Sequence, residues 1–424
     1  MNDFSKPAKS DSVTNVTNHP QRRQSPLSQH RGLRELERWR DAADKNGIEV
    51  PYFKSSEGIA SAQIRQDGRD LINFASYDYL GLATDPRVKA AAQTAIEEFG
   101  TTVSASRLVS GERAVHHELE KNLARCLGVP SALSFVSGHA TNVSLIGYLF
   151  GPRDLVVHDW LAHNSILEGI RLSGAKRLPF VHQDLNQLDS LLAKHRHKHE
   201  NVLIAVEGLY SMEGDLPDLP KLLEIRDRYE AVLMVDEAHS LGVLGQHGRG
   251  LAEHWGVDAN TVDIWMGTLS KSLVSSGGYV AGDSSLIDNL KHWCPGFLYS
   301  VGLSPANAAA ANAALDILKT EPVHARSLQT ISRYFLKAAQ VKGLNTATAM
   351  GYAIVPVIIG DELLAMKVAN SLIANGINAL PMIYPAVPKG QARIRFFLNA
   401  RHTESMVDQA IETLIAVLDG HGLH

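Results

Sequence analysis

Apolar residues in this chain fall into short, nearly unbroken runs separated by amphipathic stretches. Ile72–Ala75, Ala132–Phe135, Leu155–Val157, Val202–Val206, Val232–Val235 and Ile264–Met266 are too short for helices and are bounded by polar residues. Such runs mark strands buried on both faces. Between them, Val115–Cys126 and Leu219–Tyr229 carry apolar residues at helical spacing. This alternation predicts an α/β fold with a mostly parallel sheet covered by helices on both sides. Around Leu303–Leu318 the texture becomes Ala-rich and helical. Beyond it, strands over Ile354–Ile359 and Ala392–Phe397 flank a helix over Leu364–Ala374, and a last helix covers Ser405–Leu418. That part reads as a smaller C-terminal α+β domain.

The predicted layout has four parts: a disordered tail over residues 1–30, an N-terminal segment over 31–70, a large domain over 71–305 and a small domain over 306–424. The tail is rich in Ser, Asn, Gln and Pro and holds few large apolar residues, so it cannot build a core. Its basic residues Lys6, Lys9, Arg22 and Arg23 can either touch an acidic carrier protein or simply solubilise the chain. Leu33–Ala43 has helical spacing.

Composition narrows the class. The formal net charge of −4 gives no drive toward nucleic acid or an anionic membrane. Two cysteines, Cys126 and Cys294, are too few for a disulfide framework, and the expected location is cytoplasmic. No apolar run is long enough to span a bilayer; the nearest, Val143–Phe150, reads as part of a core helix. The start lacks the layout of a secretory signal. His195, His197 and His199 alternate with basic residues at a predicted helix end. They read as a solvated terminus, and no metal site is expected.

The chemistry lies at the strand ends. The run Val232–Val235 ends in Asp236, and thirty-five positions later Thr268-Leu-Ser-Lys271 follows another strand. Pyridoxal phosphate needs this combination: an amine to hold its aldehyde and a carboxylate to keep its ring nitrogen protonated. Ser137-Gly138-His139 follows a strand and opens a helix, where free backbone N–H groups can seat a phosphate. Thr268 and Ser270 can add hydroxyls to the same phosphate, and Gly277-Gly278 gives the chain freedom to turn. His163 lies just past a strand, either to stack on a pyridine ring or as a hydrogen-bonded loop histidine. His239, three residues after Asp236, can reach the phenolic oxygen of that ring or brace the acid. Arg393 and Arg395 alternate on a strand and are read as facing opposite sides. One of them can grip a substrate carboxylate, and the other reads as a surface or interface residue.

Together these motifs resemble the α-oxoamine synthases, a branch of the fold-type I pyridoxal phosphate enzymes, from about Leu71 to Leu418. The resemblance rests on Asn73-Phe-Ala-Ser-Tyr77-Asp-Tyr-Leu-Gly81, Phe135-Val-Ser-Gly138, Glu207-Gly-Leu-Tyr-Ser211-Met-Glu-Gly214-Asp, Asp236-Glu-Ala-His239, His247-Gly-Arg-Gly250 and Thr268-Leu-Ser-Lys271. It implies decarboxylative condensation of a small L-amino acid (serine, alanine or glycine) with an acyl thioester. It further implies Lys271 as the Schiff-base lysine, Asp236 as the ring-nitrogen partner and His163 as the stacking histidine. His239 and Ser211 fall at the phenolic oxygen, and Ser137, Gly138, His139, Thr268 and Ser270 fall at the phosphate. His139 replaces a more usual aromatic residue. Arg395 matches the carboxylate arginine, with Tyr77 on the substrate side. The resemblance also implies a homodimer in which a Tyr-Ser-Thr segment touches the partner's phosphate. Here the run is Tyr299-Ser300-Val301, which leaves Ser300 alone for that role.

Two departures bear on the acyl group. Ser76-Tyr77-Asp78 is closer to serine palmitoyltransferases than to biotin-pathway members. Ile383, followed by Tyr384-Pro-Ala-Val-Pro388, stands where several members place an arginine. These features point to a long-chain or polyketide acyl group carried by CoA or an acyl carrier protein. 8-Amino-7-oxononanoate synthesis is the alternative within the family, and a fold-type I aminotransferase is the rival outside it.

Overall fold

The computed structural model describes residues 25–422. The four basic tail residues and most of the expected disordered tail lie outside that range; Pro26–Gln29 form a single 3-10 turn. The chain divides into two compact units, the first ending at Val50 and the second beginning at Pro51. The first carries the helix Arg31–Lys45, and all the chemistry discussed below belongs to the second.

The second unit opens with the hairpin β1 (Gln63–Gln66) and β2 (Arg69–Asn73). The main sheet then contains β3 (Ser131–Phe135), β4 (Leu155–Asp159), β5 (Lys176–Phe180), β6 (Val202–Glu207), β7 (Val232–Asp236), β8 (Ile264–Thr268) and β9 (Gly278–Gly282). Their order is β3-β9-β8-β7-β6-β4-β5, and β9 alone runs against its neighbours. Alternation along the strands builds two cores. Leu203, Ala205 and Met234 pack on one face with Leu145, Ile146 and Ile166. Ile204, Val206, Leu233 and Val235 pack on the other with Leu119, Leu188 and Leu222. Each such aliphatic side chain contributes about 1.5–3 kcal/mol by leaving water, which is why these strands are apolar without a polar face.

The C-terminal part holds β10 (Ile354–Gly360), β11 (Ile377–Asn378), β12 (Leu380–Met382) and β13 (Ala392–Phe397). Strands β10, β13 and β12 form an antiparallel sheet, while β11 joins β2. The helices Glu362–Ala374 and Glu404–Gly420 accompany them. The large parallel sheet with a smaller α+β part is the architecture that the alternation predicts.

Five strands escape the apolar-run reading: β1, β5, β9, β11 and β12. Strand β9 is the instructive one, since the glycines that suggest a turn also begin the strand. Gly277, at φ +144°, does make the turn. Gly278 is required by proximity instead, because a Cβ there would lie 2.5 Å from Thr141 Oγ1 and 2.7 Å from Gly138 Cα.

Val143–Phe150 falls largely within the helix Gly138–Leu149. Among the described residues no helix is long and apolar enough to cross a membrane. His195, His197 and His199 sit at the end of the helix Leu185–His195 and the 3-10 turn after it. The group among the described residues with metal-ligand spacing is Glu112, His117 and Glu120. There Arg107 already pairs with both carboxylates.

Candidate active site

Strands β6, β7 and β8 end at Glu207, Asp236 and Thr268, the edge where open α/β sheets place their ligands. These ends, the start of the helix Gly138–Leu149 and Lys271 line one open cleft. It brings together Gly138, His139, His163, Asp236, His239, Thr268 and Lys271 from segments far apart in the chain.

Asp236 is buried and held as a hydrogen-bond acceptor from two sides. Asn142 Nδ2 donates to its Oδ2 at 2.8 Å, and the Ala238 N–H donates to its Oδ1 at 2.9 Å. The same Asn142 amide donates to Ser165 Oγ at 2.9 Å. Ser165 Oγ in turn lies 2.7 Å from His163 Nδ1. The Ser165 N–H donates to the same Nδ1 at 3.3 Å, which makes that nitrogen an acceptor, so the Ser165 hydroxyl donates to it and Nε2 of His163 carries the ring hydrogen. Burial, with Lys271 and His139 nearby, lowers the basicity of His163 although Asp236 opposes this. The imidazole is therefore neutral.

Lys271 is half-buried, and desolvation brings its amine down to about 8 despite the opposing carboxylates of Asp236 and Glu207. Its Nζ stands 5.6 Å from the centre of the Tyr77 ring. Burial, followed by the charges of Lys271 and Arg395, holds His239 well below the ordinary imidazole range. Its Nδ1 meets the hydroxyl of Tyr79 at 2.7 Å.

The helix start is built for close approach. Ser137 caps it, accepting from the Ala140 N–H at 3.3 Å. Thr268 Oγ1 donates to the Gly277 carbonyl at 2.9 Å and accepts from the Ser270 N–H at 3.2 Å. A Cβ on Gly138 would lie 2.8 Å from that same Oγ1. The rings of His139 and His163 stand nearly perpendicular, 6.3 Å between centres.

The two arginines require a correction. Arg393 and Arg395 do not face opposite sides; residues two apart on a strand share a face, and both guanidinium groups reach the 211–213 turn. Nor is Arg393 a surface residue. It is 2% exposed and donates to the Met212 carbonyl at 3.0 Å and Glu213 Oε1 at 2.9 Å. Arg395 Nη1 donates to the Ser211 carbonyl at 2.9 Å, and its guanidinium lies 4.2 Å from the Phe397 ring centre. Its Nε is buried without a partner.

Ser211 contributes backbone here: its N–H meets Glu207 Oε2 at 3.3 Å and its carbonyl holds Arg395. Ser300 is not among the residues lining the cleft; it lies beside Tyr299, which is 88% exposed. Sequence reasoning assigned no role to Asn142, Ser165, Tyr79 or Glu207. Asn142 stands one helical turn beyond Ser137-Gly138, a position facing the same direction as the turn, and that was the available signal.

The family model for aminotransferase class I and II matches residues 69–414. The chain belongs to this family. Within the aminotransferase class I and II family it falls among the α-oxoamine synthases. Serine palmitoyltransferase of Sphingobacterium spiritivorum is 37% identical over 366 residues, 86% of this chain and 91% of its own length. 8-Amino-7-oxononanoate synthase 1 of Bacillus subtilis (strain 168) is 37% identical over 362 residues, 85% of this chain and 92% of its own. A serine palmitoyltransferase variant from S. paucimobilis, solved with a bound PLP–myriocin aldimine, superposes with a TM-score of 0.90 at 28% identity, covering 95% of this chain and 100% of that one. The fold of this family member is thus that of the fold-type I transferases.

Proposed function

We propose that this protein is a pyridoxal phosphate-dependent C-acyltransferase. It joins a small L-amino acid (serine, alanine or glycine) to an acyl thioester, giving an α-amino ketone, CO2 and the free thiol. The observation that carries this reading is the desolvated amine of Lys271 in one cleft with the buried carboxylate of Asp236. The residues present fit the cofactor. Gly138 and Gly278 let Thr268 and β9 pack directly against the helix start, whose backbone N–H groups suit a phosphate, and the unpartnered Nε of Arg395 can take a substrate acceptor.

Pyridoxal phosphate, when bound, supplies the electron sink that makes the amino acid's Cα hydrogen acidic. Lys271 would hold the aldehyde, and its amine, once free, would remove the Cα proton and later return one. Desolvation to about 8 suits that work, since a base near the working pH is both available and strong enough. Asp236, kept as an acceptor by Asn142 and Ala238, holds the ring nitrogen in its protonated form. His163, neutral and fixed through Ser165, supports the ring face. His239, backed by Tyr79, serves the phenolic oxygen with Ser211 beside it. Ser137, Gly138, His139, Thr268 and Ser270 seat the phosphate, and Ser300 serves the partner subunit in a homodimer. Arg395 takes the amino-acid carboxylate, with Tyr77 next to Lys271 on the substrate side.

The preferred acyl donor is a long-chain or polyketide thioester of CoA or an acyl carrier protein, in the cytoplasm. Support comes from Ile383 in place of a charged residue. The 37% identity to an 8-amino-7-oxononanoate synthase favours a second reading with a shorter, carboxylated acyl chain. Titrating the purified protein with single amino acids while recording its visible spectrum tests the proposal. We expect a response to one small amino acid, and thiol release only when an acyl thioester is added. Responses to many amino acids with keto-acid products would show an aminotransferase instead, and a Lys271→Ala protein that makes product at the normal rate would sink the assignment of the lysine.

A further inference from the structure

The hydroxyl of Tyr79 has one polar neighbour, and that neighbour belongs to a residue of the cleft. Tyr79 is fully buried, and its hydroxyl lies 2.7 Å from Nδ1 of His239. Among the described residues this is the hydroxyl's one hydrogen bond. The phenol is fixed from the C-terminal part of the fold. Its backbone carbonyl accepts from the Ala400 N–H at 2.8 Å, just past β13. Beside it, Asn399 Nδ2 donates to the carbonyl of Asp78. The other rings around His239 are those of Tyr77 and Phe397, 6.2 and 6.4 Å away between centres. His239 itself lines the cleft. With Nδ1 turned to Tyr79, Nε2 is the ring nitrogen left to act there.

A neutral imidazole carries one N–H and a phenol one O–H, so two arrangements fit the 2.7 Å contact. Where the phenol donates, Nδ1 accepts and the ring hydrogen sits on Nε2. Where Nδ1 donates, the phenol hydrogen is left buried with no acceptor, an unfavourable state. Burial, followed by the charges of Lys271, Arg395 and His163, keeps the ring neutral. The first arrangement satisfies every hydrogen.

We propose that Tyr79 is a positioning residue for His239, holding Nδ1 as an acceptor so that Nε2 offers its hydrogen to the cleft. A hydrogen-bond donor there stabilises an anionic oxygen, which a bare imidazole nitrogen would repel. The group it fits is the phenolic oxygen of pyridoxal phosphate, so the inference deepens the proposed role of His239 and rests on it. Without the phenol, the ring is free to move its hydrogen between the two nitrogens or to rotate.

Two measurements on the full-length protein test this. 15N spectra of the cofactor-free chain labelled at histidine, with the His239 signals assigned through His239→Gln, report which nitrogen bears the hydrogen. At neutral pH we expect a bare Nδ1 and a protonated Nε2. The opposite tautomer, or a doubly protonated ring, overturns the proposal. The tautomer is read on the parent protein, so a poorly folding Tyr79→Phe does not obscure it. The second measurement is a cycle in which parent and Tyr79→Phe are each titrated with pyridoxal phosphate and with its 3-deoxy analogue, which lacks the phenolic oxygen. Tyr79→Phe should weaken pyridoxal phosphate about tenfold, the share of one hydrogen bond, and leave the affinity for the analogue unchanged. Equal losses for both ligands mean a packing role alone and overturn the positioning role. A parent chain that binds neither ligand defeats the pyridoxal phosphate reading of the cleft instead. The tautomer still decides the pairing in that case.

Discussion

The imidazole of His182 lies 3.0 Å from the carboxylate of Asp159, the residue that ends β4 and begins the loop carrying His163. On its other side Nε2 meets Asp215 at 3.1 Å, and Thr348 donates to Asp215 at 2.6 Å. Burial would lower the basicity of His182, but its hydrogen bonds to the two carboxylates overcome this and raise it to about 10. The folded value lies above the unfolded one of about 6.5. The stabilisation is therefore complete below about pH 6.5, declines as pH rises and is gone above about 10. Replacing His182 by Gln leaves two buried carboxylates without their cation, a loss of about 3 kcal/mol at pH 7. Thermal unfolding should show a clear gap between the two proteins at pH 7 that closes toward pH 10. Equal melting temperatures at pH 7 would refute the bridge.

Asn142 links Asp236 to Ser165, and through it to His163, with a single amide nitrogen. Asn142→Ala removes a hydrogen bond to a carboxylate, worth about 1.5–3 kcal/mol, and frees Ser165 to turn away from His163. We expect cofactor affinity to fall at least tenfold and the cofactor-free chain to lose about that 1.5–3 kcal/mol of stability. Fluorescence titration with pyridoxal phosphate measures the first quantity. An unchanged affinity would mean that Asp236 needs no fixing.

Gly278 is small because β9 passes against the helix start. A methyl group there would meet Thr141 Oγ1 at 2.5 Å, Gly138 Cα at 2.7 Å and the Gly138 nitrogen at 2.9 Å. Two of those atoms are backbone, so the turn itself must move. Gly278→Ala should cost about 1–3 kcal/mol in stability and weaken phosphate binding. Inorganic phosphate competing with the cofactor separates the two effects: its affinity should fall with the variant. Retained phosphate affinity would place the anion elsewhere.

Local chemistry was readable wherever one segment carries its own meaning. Asp236 after four apolar residues, Lys271 after Thr-x-Ser and the Ser137-Gly138 turn each stand at a strand or helix end, and the fold delivers all of them to one cleft. Helix spans such as Ala114–Leu127 and Leu219–Arg228 follow their periodicity closely. What stayed hidden depends on partners distant in sequence. Nothing near Asn142 reveals that its amide meets a residue ninety-four positions away, and His182 looks like an ordinary loop histidine until Asp159 and Asp215 surround it. Strand β9 hides for a related reason: its glycines answer to the helix packed against them rather than to a turn alone. The pairing of Glu207 with Asp236 needs the strand order itself.

Arg393 and Arg395 share a strand face and a turn but should separate cleanly in experiment. All the contacts of Arg393 are internal, to Gln391, Met212 and Glu213, so its role is to hold the 211–213 turn. Arg393→Met leaves Glu213 buried without its cation and should lower stability by about 3 kcal/mol. Arg395 is fixed by the Ser211 carbonyl and the Phe397 ring while its Nε stays unpartnered. Arg395→Lys keeps the charge and loses the planar fork that matches a carboxylate. It should raise the amino-acid KM by about tenfold or more, with little change in melting temperature or cofactor spectrum. Steady-state kinetics paired with thermal unfolding on both variants decides the matter. Should Arg393→Met be the variant that raises KM at unchanged stability, the two roles must be exchanged.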